Sequence, residues 1–204
     1  MALPQGFVYL KDIAPSIIQD VRYFSDDNFI GRPIKGYHAG ECIVTKEAGE
    51  ALAKAQQEMI AAHMSLKVFD CYRPVTAVQD FIDWSKDAND QKMKKAYYPN
   101  VNKADFFKLG YVAEKSGHTR GSTVDLTIVT LPEKIELNMG THFDYMDELS
   151  HSLNPAIQGK EMENRMLLRN LMIKVGFDPY EKEWWHFTLK NEPYPNTYFD
   201  FPVE

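Results

Sequence analysis

The chain has 204 residues, enough for one domain with a real core, since roughly 70% of the unfolded surface is buried at this size. Its 44% hydrophobic and 25% charged residues are the balance of an ordinary globular protein. The formal net charge of −6 argues against nucleic acid or an anionic membrane as partner, and no stretch approaches the roughly 20 apolar residues that span a bilayer.

No repeat, low-complexity tract or linker divides the chain, so residues 1–204 read as a single domain. The start, Met1-Ala2-Leu3-Pro4-Gln5-Gly6, has neither a charged n-region nor an apolar h-region, so no signal peptide is expected. Cys42 and Cys71 lack C-x-x-C spacing and read as free thiols in a reducing compartment, and a cytoplasmic location follows as the expectation. Residues 7–10 are a short apolar run, followed by the mixed stretch Ile17-Ile18-Gln19-Asp20-Val21-Arg22-Tyr23. Tyr23 is placed at the end of a strand, and from the residues alone it is a packing side chain as readily as a functional one. Turns follow at Asp26-Asp27-Asn28 and Gly31-Arg32-Pro33.

Thr45 is a fair N-cap for a helix to about His63, with Ala48, Leu52, Ala55, Met59 and Ala62 on one face and Glu47 at the positive end. Residues 67–72 read as a strand. Pro74 suits the first turn of a helix that reaches Ser85. Arg73 therefore sits at a strand-to-helix junction, free to bridge to a surface carboxylate or to serve a site. Residues 87–100 are polar and turn-rich, and Lys92, Lys94 and Lys95 make a solvated face. A helical turn is expected over residues 105–110, a strand over 123–129, a helix over 158–175 ended by Gly176 and Pro179, and a last strand over 184–189. Strands and helices without regular βαβ alternation predict an α+β domain: a mostly antiparallel central sheet flanked by helices.

Two stretches carry chemistry. In Ser116-Gly117-His118-Thr119-Arg120-Gly121-Ser122-Thr123-Val124-Asp125 a loop histidine precedes a strand aspartate, and Gly121 lets the backbone bend between them. Alone, such a pair serves hydrogen bonds as often as metal. Glu183-Trp184-Trp185-His186-Phe187 adds a second imidazole and a second carboxylate. Two histidines and one aspartate give zinc three ligands and an open position, the composition of a catalytic site. In a regular strand residues three apart face opposite ways, so Glu183 joins His186 at one ion only if it precedes the strand proper or sits on a bulge. Trp184 and Trp185 then fall on opposite faces as walls and core. His142 and His151 are not needed as ligands. G-x-S-x-G and H-E-x-x-H are both absent, against a serine hydrolase or a thermolysin-like protease.

The first stretch resembles the S-x-H-x-x-G-x-A-x-D signature of the D-alanyl-D-alanine dipeptidases of the VanX type, zinc enzymes associated with vancomycin resistance and cell-wall dipeptide turnover. E-W-W-H is similar to their second signature and Asp70-Cys71-Tyr72-Arg73-Pro74 to their third. Residues 139–147 resemble their M-G-x-x-F-D-x-M-D segment, and the likeness extends into the tail at 192–202. Thr123 stands in place of alanine and Cys71 in place of glycine. The resemblance implies one zinc per chain on His118, Asp125 and His186, with Glu183 as general base and Arg73 stabilising the oxyanion. It further implies that Asp144 meets the substrate's ammonium group, that Ser116 and Tyr23 offer neutral hydrogen bonds, and that D-Ala-D-Ala is cleaved to D-alanine. Left open are a zinc D,D-carboxypeptidase or endolysin-type peptidase on longer cell-wall peptides, and a zinc-binding interaction domain without catalysis.

Overall fold

The computed structural model describes residues 2–204. β1 (Phe7–Tyr9) leads into α1 (Leu10–Ile13) and the short β2 (Ile18–Gln19), and β1 pairs antiparallel with β3 (Ile43–Thr45) as a two-stranded ribbon. Thr45 caps α2 (Lys46–Ala61), its hydroxyl accepting from the Ala48 amide. Ala48, Leu52, Ala55 and Met59 recur at helical spacing and are all buried. After β4 (Met64–Asp70), Pro74 caps α3 (Val75–Lys86). The short α4 (Lys94–Tyr97) and α5 (Phe106–Leu109) precede β5 (Thr123–Thr130). α6 (Gly159–Lys174) is followed by β6 (Phe177–Tyr180) and β7 (Glu183–Leu189).

The five-stranded sheet runs β2-β4-β5-β7-β6. Only the β2–β4 pair is parallel, so the α+β fold with a mostly antiparallel sheet is as the sequence predicts. α2 packs against β4, and α6 against β6 and β7. At the centre, Val124, Leu126 and Ile128 of β5 alternate with Thr123, Asp125 and Thr127. One face of the strand is thus aliphatic and the other presents polar side chains. The buried hydrophobic residues form one cluster from Phe7 to Val203. At about 1.5–3 kcal/mol per large buried side chain, this cluster outweighs the exposed ion pairs, worth about 0–1 kcal/mol each.

The carboxy-terminal tail braces the region ahead of β5. The Phe199 amide donates to Thr119 O at 3.0 Å, and Phe199 O accepts from the Val75 amide at 3.1 Å. Phe201 stacks on Tyr72 with ring centroids 4.0 Å apart. Gly121 closes the 3-10 helix Gly117–Arg120 with φ +85°, and a Cβ there would lie 2.2 Å from a Phe7 ring carbon. Only glycine meets both conditions.

Two expectations are corrected. Tyr23 does not end a strand: β2 stops at Gln19, and Tyr23 lies in the 3-10 helix Arg22–Phe24. Cys42 and Cys71 are not free thiols; they form a disulfide with Cα atoms 5.3 Å apart. The chain entering β3 runs alongside the chain leaving β4, with the Tyr72 amide donating to Ile43 O at 2.9 Å. That proximity is tertiary, and no cysteine spacing encodes it. The bridge removes the thiol-based ground for expecting a reducing compartment. Among the described residues no helix is long and apolar enough to cross a membrane.

Candidate active site

The sheet register builds the site. β4 is irregular between Val68 and Asp70, which sets Asp70 opposite Asp125, and Asp125 is in turn opposite His186. Directly opposed residues share a face, so three chemical side chains stand in one row across β4, β5 and β7. Glu183 joins them because β7 is irregular too. Tyr180 pairs with Glu183 while the adjacent Pro179 pairs with Phe187. The bulged residues between cancel the alternation that would turn Glu183 away. Its Oε2 lies 3.4 Å from His186 Nδ1.

His118 comes from the 3-10 helix, whose first turn is capped by the Ser116 hydroxyl accepting from the His118 amide at 3.2 Å. Its Nδ1 lies 2.8 Å from Cys71 O, a carbonyl that can only accept, so Nδ1 carries the hydrogen and Nε2 the lone pair. That Nε2 points at Asp125 Oδ2, 3.2 Å away, and at His186 Nδ1, 3.3 Å away. The ligand atoms of His118, Asp125 and His186 all lie within 4.8 Å of one another. His142 and His151 stand outside this cluster: the His142 ring nitrogens face Phe143 O and Ala96 O, and His151 gives its carbonyl to Arg165.

The donor set fits a divalent metal. Asp125 Oδ1 is buried and accepts no hydrogen bond, although His186 Nδ1 is 3.1 Å away. Burial works against its charge, yet His118 and His186, in their protonated forms, hold the carboxylate well below its ordinary range, so it stays ionised; loss of those protons bares the lone pairs that a cation would take. The closest separations, 3.1–3.3 Å with the two imidazoles approaching different oxygens of Asp125, lie close to the edge of a tetrahedron with 2.0–2.2 Å bonds, about 3.3–3.6 Å. A cation at the centre satisfies electron pairs that the protein leaves facing one another.

Arg73 is partly buried just past the end of β4, its side chain 12% exposed, and does not bridge to a surface carboxylate. Its Nε and Nη2 hold Asp70 Oδ2 at 2.9 and 2.8 Å, Nη1 reaches Ser116 Oγ at 3.5 Å, and Nη2 is 3.7 Å from Asp125 Oδ2. The guanidinium sits over the rings of Tyr23 and Phe81. Burial alone would lower its pKa, but the acidic groups around it, Asp70 foremost, together outweigh that and hold it well above its ordinary value. Asp70 is fully buried and also accepts from the Tyr37 hydroxyl at 2.6 Å. Sequence reasoning assigned no role to Asp70 or Tyr37. The available signal was a carboxylate closing the apolar strand Val68-Phe69-Asp70; nothing local marks Tyr37.

Across the cavity lies Asp144, buried, with φ +60°. The Tyr23 hydroxyl donates to its Oδ2 at 2.7 Å. Burial, with Asp125 and Glu183 adding repulsion, pushes the Asp144 carboxyl well above its ordinary range. Burial likewise lifts Glu183 to about 7, with His186 opposing. Tyr23, Arg73, Ser116, His118, Asp125, Asp144, Glu183 and His186 line one cavity of about 300 Å³, walled by Tyr111, Val112, Met146 and Trp185. All eight side chains that the sequence singled out meet there. Trp184 stays outside it, its indole N–H donating to Thr141 Oγ1 at 2.9 Å.

With this geometry in place, likeness to known proteins decides the family. The sequence model of Peptidase M15, described as D-ala-D-ala dipeptidase, matches residues 4–204. The chain belongs to the D-Ala-D-Ala dipeptidase family. It is 41% identical over 199 residues to a D-alanyl-D-alanine dipeptidase of Enterococcus faecium, covering 98% of both chains. It is 42% identical over 197 residues to one from Streptomyces coelicolor, covering 97% of this chain and 98% of that one. To the D-alanyl-D-alanine dipeptidase of Escherichia coli it is 32% identical over 182 residues, covering 89% of this chain and 83% of the other. Family members of such different identity align along most of their length, so the shared unit is the whole domain and not a grafted motif.

Proposed function

We propose that the chain is a zinc-dependent dipeptidase that hydrolyses D-Ala-D-Ala to free D-alanine. The observation that carries this reading is the meeting of His118, Asp125 and His186 in the same small cavity as Asp144. Zinc on those three residues would supply Lewis acidity and bring the pKa of water down to about 7. Glu183, lifted to about 7 by burial, takes a proton from the attacking water and delivers it to the departing amine. Arg73, anchored on Asp70, donates to the oxyanion that forms on the scissile carbonyl.

Asp144 accounts for the size of the substrate. Its raised pKa marks a carboxylate that burial disfavours in its charged form, and an ammonium group brought beside it restores that charge. A free dipeptide carries such an ammonium next to the scissile bond. A longer peptide places an amide there and leaves the carboxylate unpaired, so it is rejected. Ser116 Oγ, which accepts from the His118 amide, keeps its own hydrogen to donate to substrate. Tyr23 spends its hydrogen on Asp144, so it meets the substrate through its oxygen or through the carboxylate it orients. The Cys42–Cys71 bridge suits an oxidising compartment better than the cytoplasm.

Hydrolysis of D-Ala-D-Ala, L-Ala-L-Ala and a pentapeptide ending in D-Ala-D-Ala, each with and without chelator, tests the proposal. Cleavage of the first alone, abolished by chelation and restored by zinc, is the expected result. Preference for the pentapeptide transfers the reading to a D,D-carboxypeptidase, and activity that survives chelation removes the metal from the mechanism.

A further inference from the structure

One buried charge has no part in the chemistry above. Arg165, on α6, is 2% exposed, and among the described residues no carboxylate pairs with it. An unpaired buried guanidinium is costly unless most of its hydrogens are taken. Here Nε donates to Met139 O at 2.6 Å, Nη1 to His151 O at 2.8 Å, and Nη2 to Leu149 O at 2.9 Å and more weakly to Thr141 Oγ1 at 3.4 Å. Burial brings its pKa down to about 10, so the group keeps its charge and its full set of donors at neutral pH.

All four acceptors belong to one segment, residues 139–151, whose only regular structure is the 3-10 helix Glu148–Ser150. This segment brings Asp144 and Met146 to the cavity. Further ties meet at the same place, while nearer Asp144 the Met146 amide donates to Tyr97 O at 2.7 Å and His142 Nε2 lies 2.9 Å from Ala96 O. Thr141 Oγ1 also accepts from Trp184 Nε1 at 2.9 Å and bonds Ser150 Oγ at 2.9 Å. Asn164, the neighbour of Arg165, donates to Asn138 O at 2.8 Å. The need for such bracing is clearest at Asp144. A non-glycine residue at φ +60° is strained and persists only where its surroundings over-determine it. Arginine suits the task because its planar fork spreads five fixed donors, whereas lysine offers three on one atom.

We propose that Arg165 is a positioning residue for substrate selection: by gathering four oxygens of residues 139–151 it holds Asp144 in its left-handed conformation, facing the substrate's ammonium group. This rests on the assignment of Asp144 to that group. It predicts a defect in substrate recognition rather than in the chemical step.

The test compares the parent with Arg165→Met, Thr141→Val and Asp144→Asn. Steady-state kinetics are measured on D-Ala-D-Ala and on N-acetyl-D-Ala-D-Ala, which lacks the ammonium, and amide hydrogen exchange is followed across the chain. Arg165→Met is expected to raise KM for D-Ala-D-Ala by about tenfold or more, to leave kcat within about threefold, and to cut the preference over the acetylated dipeptide by a factor like that in KM. Exchange should quicken over residues 139–151 and not over β5 or β7. If Arg165→Met does not fold, Thr141→Val must show the same split at smaller size. Faster exchange with KM and preference unchanged would leave Arg165 a structural residue only and overturn the inference. Asp144→Asn separates the two layers: if it raises KM while neither other variant does, only the role of Arg165 falls, and if it too leaves KM and preference unmoved, the ammonium assignment falls with it.

Discussion

The Tyr23 hydroxyl and the Asp144 carboxylate, 121 positions apart in sequence, meet at 2.7 Å inside the cavity. Both residues are buried, and burial pushes both pKa values well up. The hydrogen of Tyr23 is thereby committed to orienting one carboxylate oxygen and leaves the other to the substrate. Tyr23→Phe keeps the ring among Phe29, Tyr37 and Phe81 and removes only that hydrogen bond. A net worth of about 0.5–1.5 kcal/mol corresponds to a rise in KM of roughly 2- to 12-fold. The kcat value should stay near that of the parent, and a fall in kcat with KM unmoved would place the Tyr23 hydroxyl in the chemical step instead.

Arg73 has the opposite signature. Its contact with Ser116 Oγ is long, at 3.5 Å, and its firm bonds go to Asp70, which leaves part of the fork aimed into the cavity. Arg73→Ala should lower kcat by about 10²–10³, the effect of losing one oxyanion donor, with KM within a few-fold. Asp70→Asn should lower kcat in the same direction, since it frees the guanidinium from its anchor. Steady-state kinetics on both variants check this, and near-parental turnover in Arg73→Ala rules the assignment out.

Glu183 lies 3.4 Å from His186 Nδ1, and its separation from the metal ligands is one of function rather than distance. Glu183→Gln preserves size and removes the base. Turnover should fall by about 10²–10⁴ while bound metal per chain is unchanged, whereas His186→Ala should lose the metal. Metal analysis of the purified variants distinguishes the two. Loss of metal from Glu183→Gln makes it a ligand and vacates the place of the general base.

These residues were not equally legible in the sequence. His118, Asp125 and His186 stand out because imidazole and carboxylate recur at two sites with a glycine hinge at one of them. The companionship of Glu183 and His186 demanded a break in strand alternation, and the register slip at Pro179–Tyr180 supplies it. The helices at α2, α3 and α6 follow from apolar spacing and end signals. Tyr37 and Arg165 were silent because their partners come from other elements: Tyr37 is 33 positions from Asp70, and Arg165 is 26 from Met139. Asp70 has a partner in Arg73 only three residues on, but the spacing does not show that the two side chains meet. Tyr23 was placed on a strand because an apolar run carries no mark of where pairing stops.

The two cysteines were misread for the same reason. Their sequence separation is 29, and the crossing of the β3 and β4 ends alone brings them together. Closing a loop of that length corresponds to roughly 3–4 kcal/mol in the chain-entropy account. Cys71 also lends its carbonyl to His118 Nδ1, so the bridge lies against the proposed metal site. Cys42→Ser should lower the denaturant midpoint by a corresponding amount, and denatured, unreduced parent protein should show no free thiol. Titration of two thiols in that sample would mean that the bridge does not form.

Asp80 provides a pH signature away from the proposed metal site. It is 2% exposed on α3, where it accepts from both Nη atoms of Arg32 at 2.7 and 3.0 Å and from the Lys35 amide at 3.1 Å. Burial pushes its pKa up, but these donors outweigh burial and hold it below its ordinary value. A depressed folded pKa stabilises the fold above the unfolded value, about 3.9, and that contribution fades as pH falls through the lower folded value. Asp80→Asn should therefore cost about 1–3 kcal/mol at pH 7. The deficit relative to the parent should shrink steadily once the pH drops below about 4. Denaturant unfolding of both proteins between pH 7 and pH 3 reads the difference, and a deficit independent of pH would mean that shape rather than charge is what Asp80 contributes. The bond matters to the site because it ties residues 32–35 to α3, and the next turn carries Tyr37, whose hydroxyl fixes Asp70 and through it Arg73.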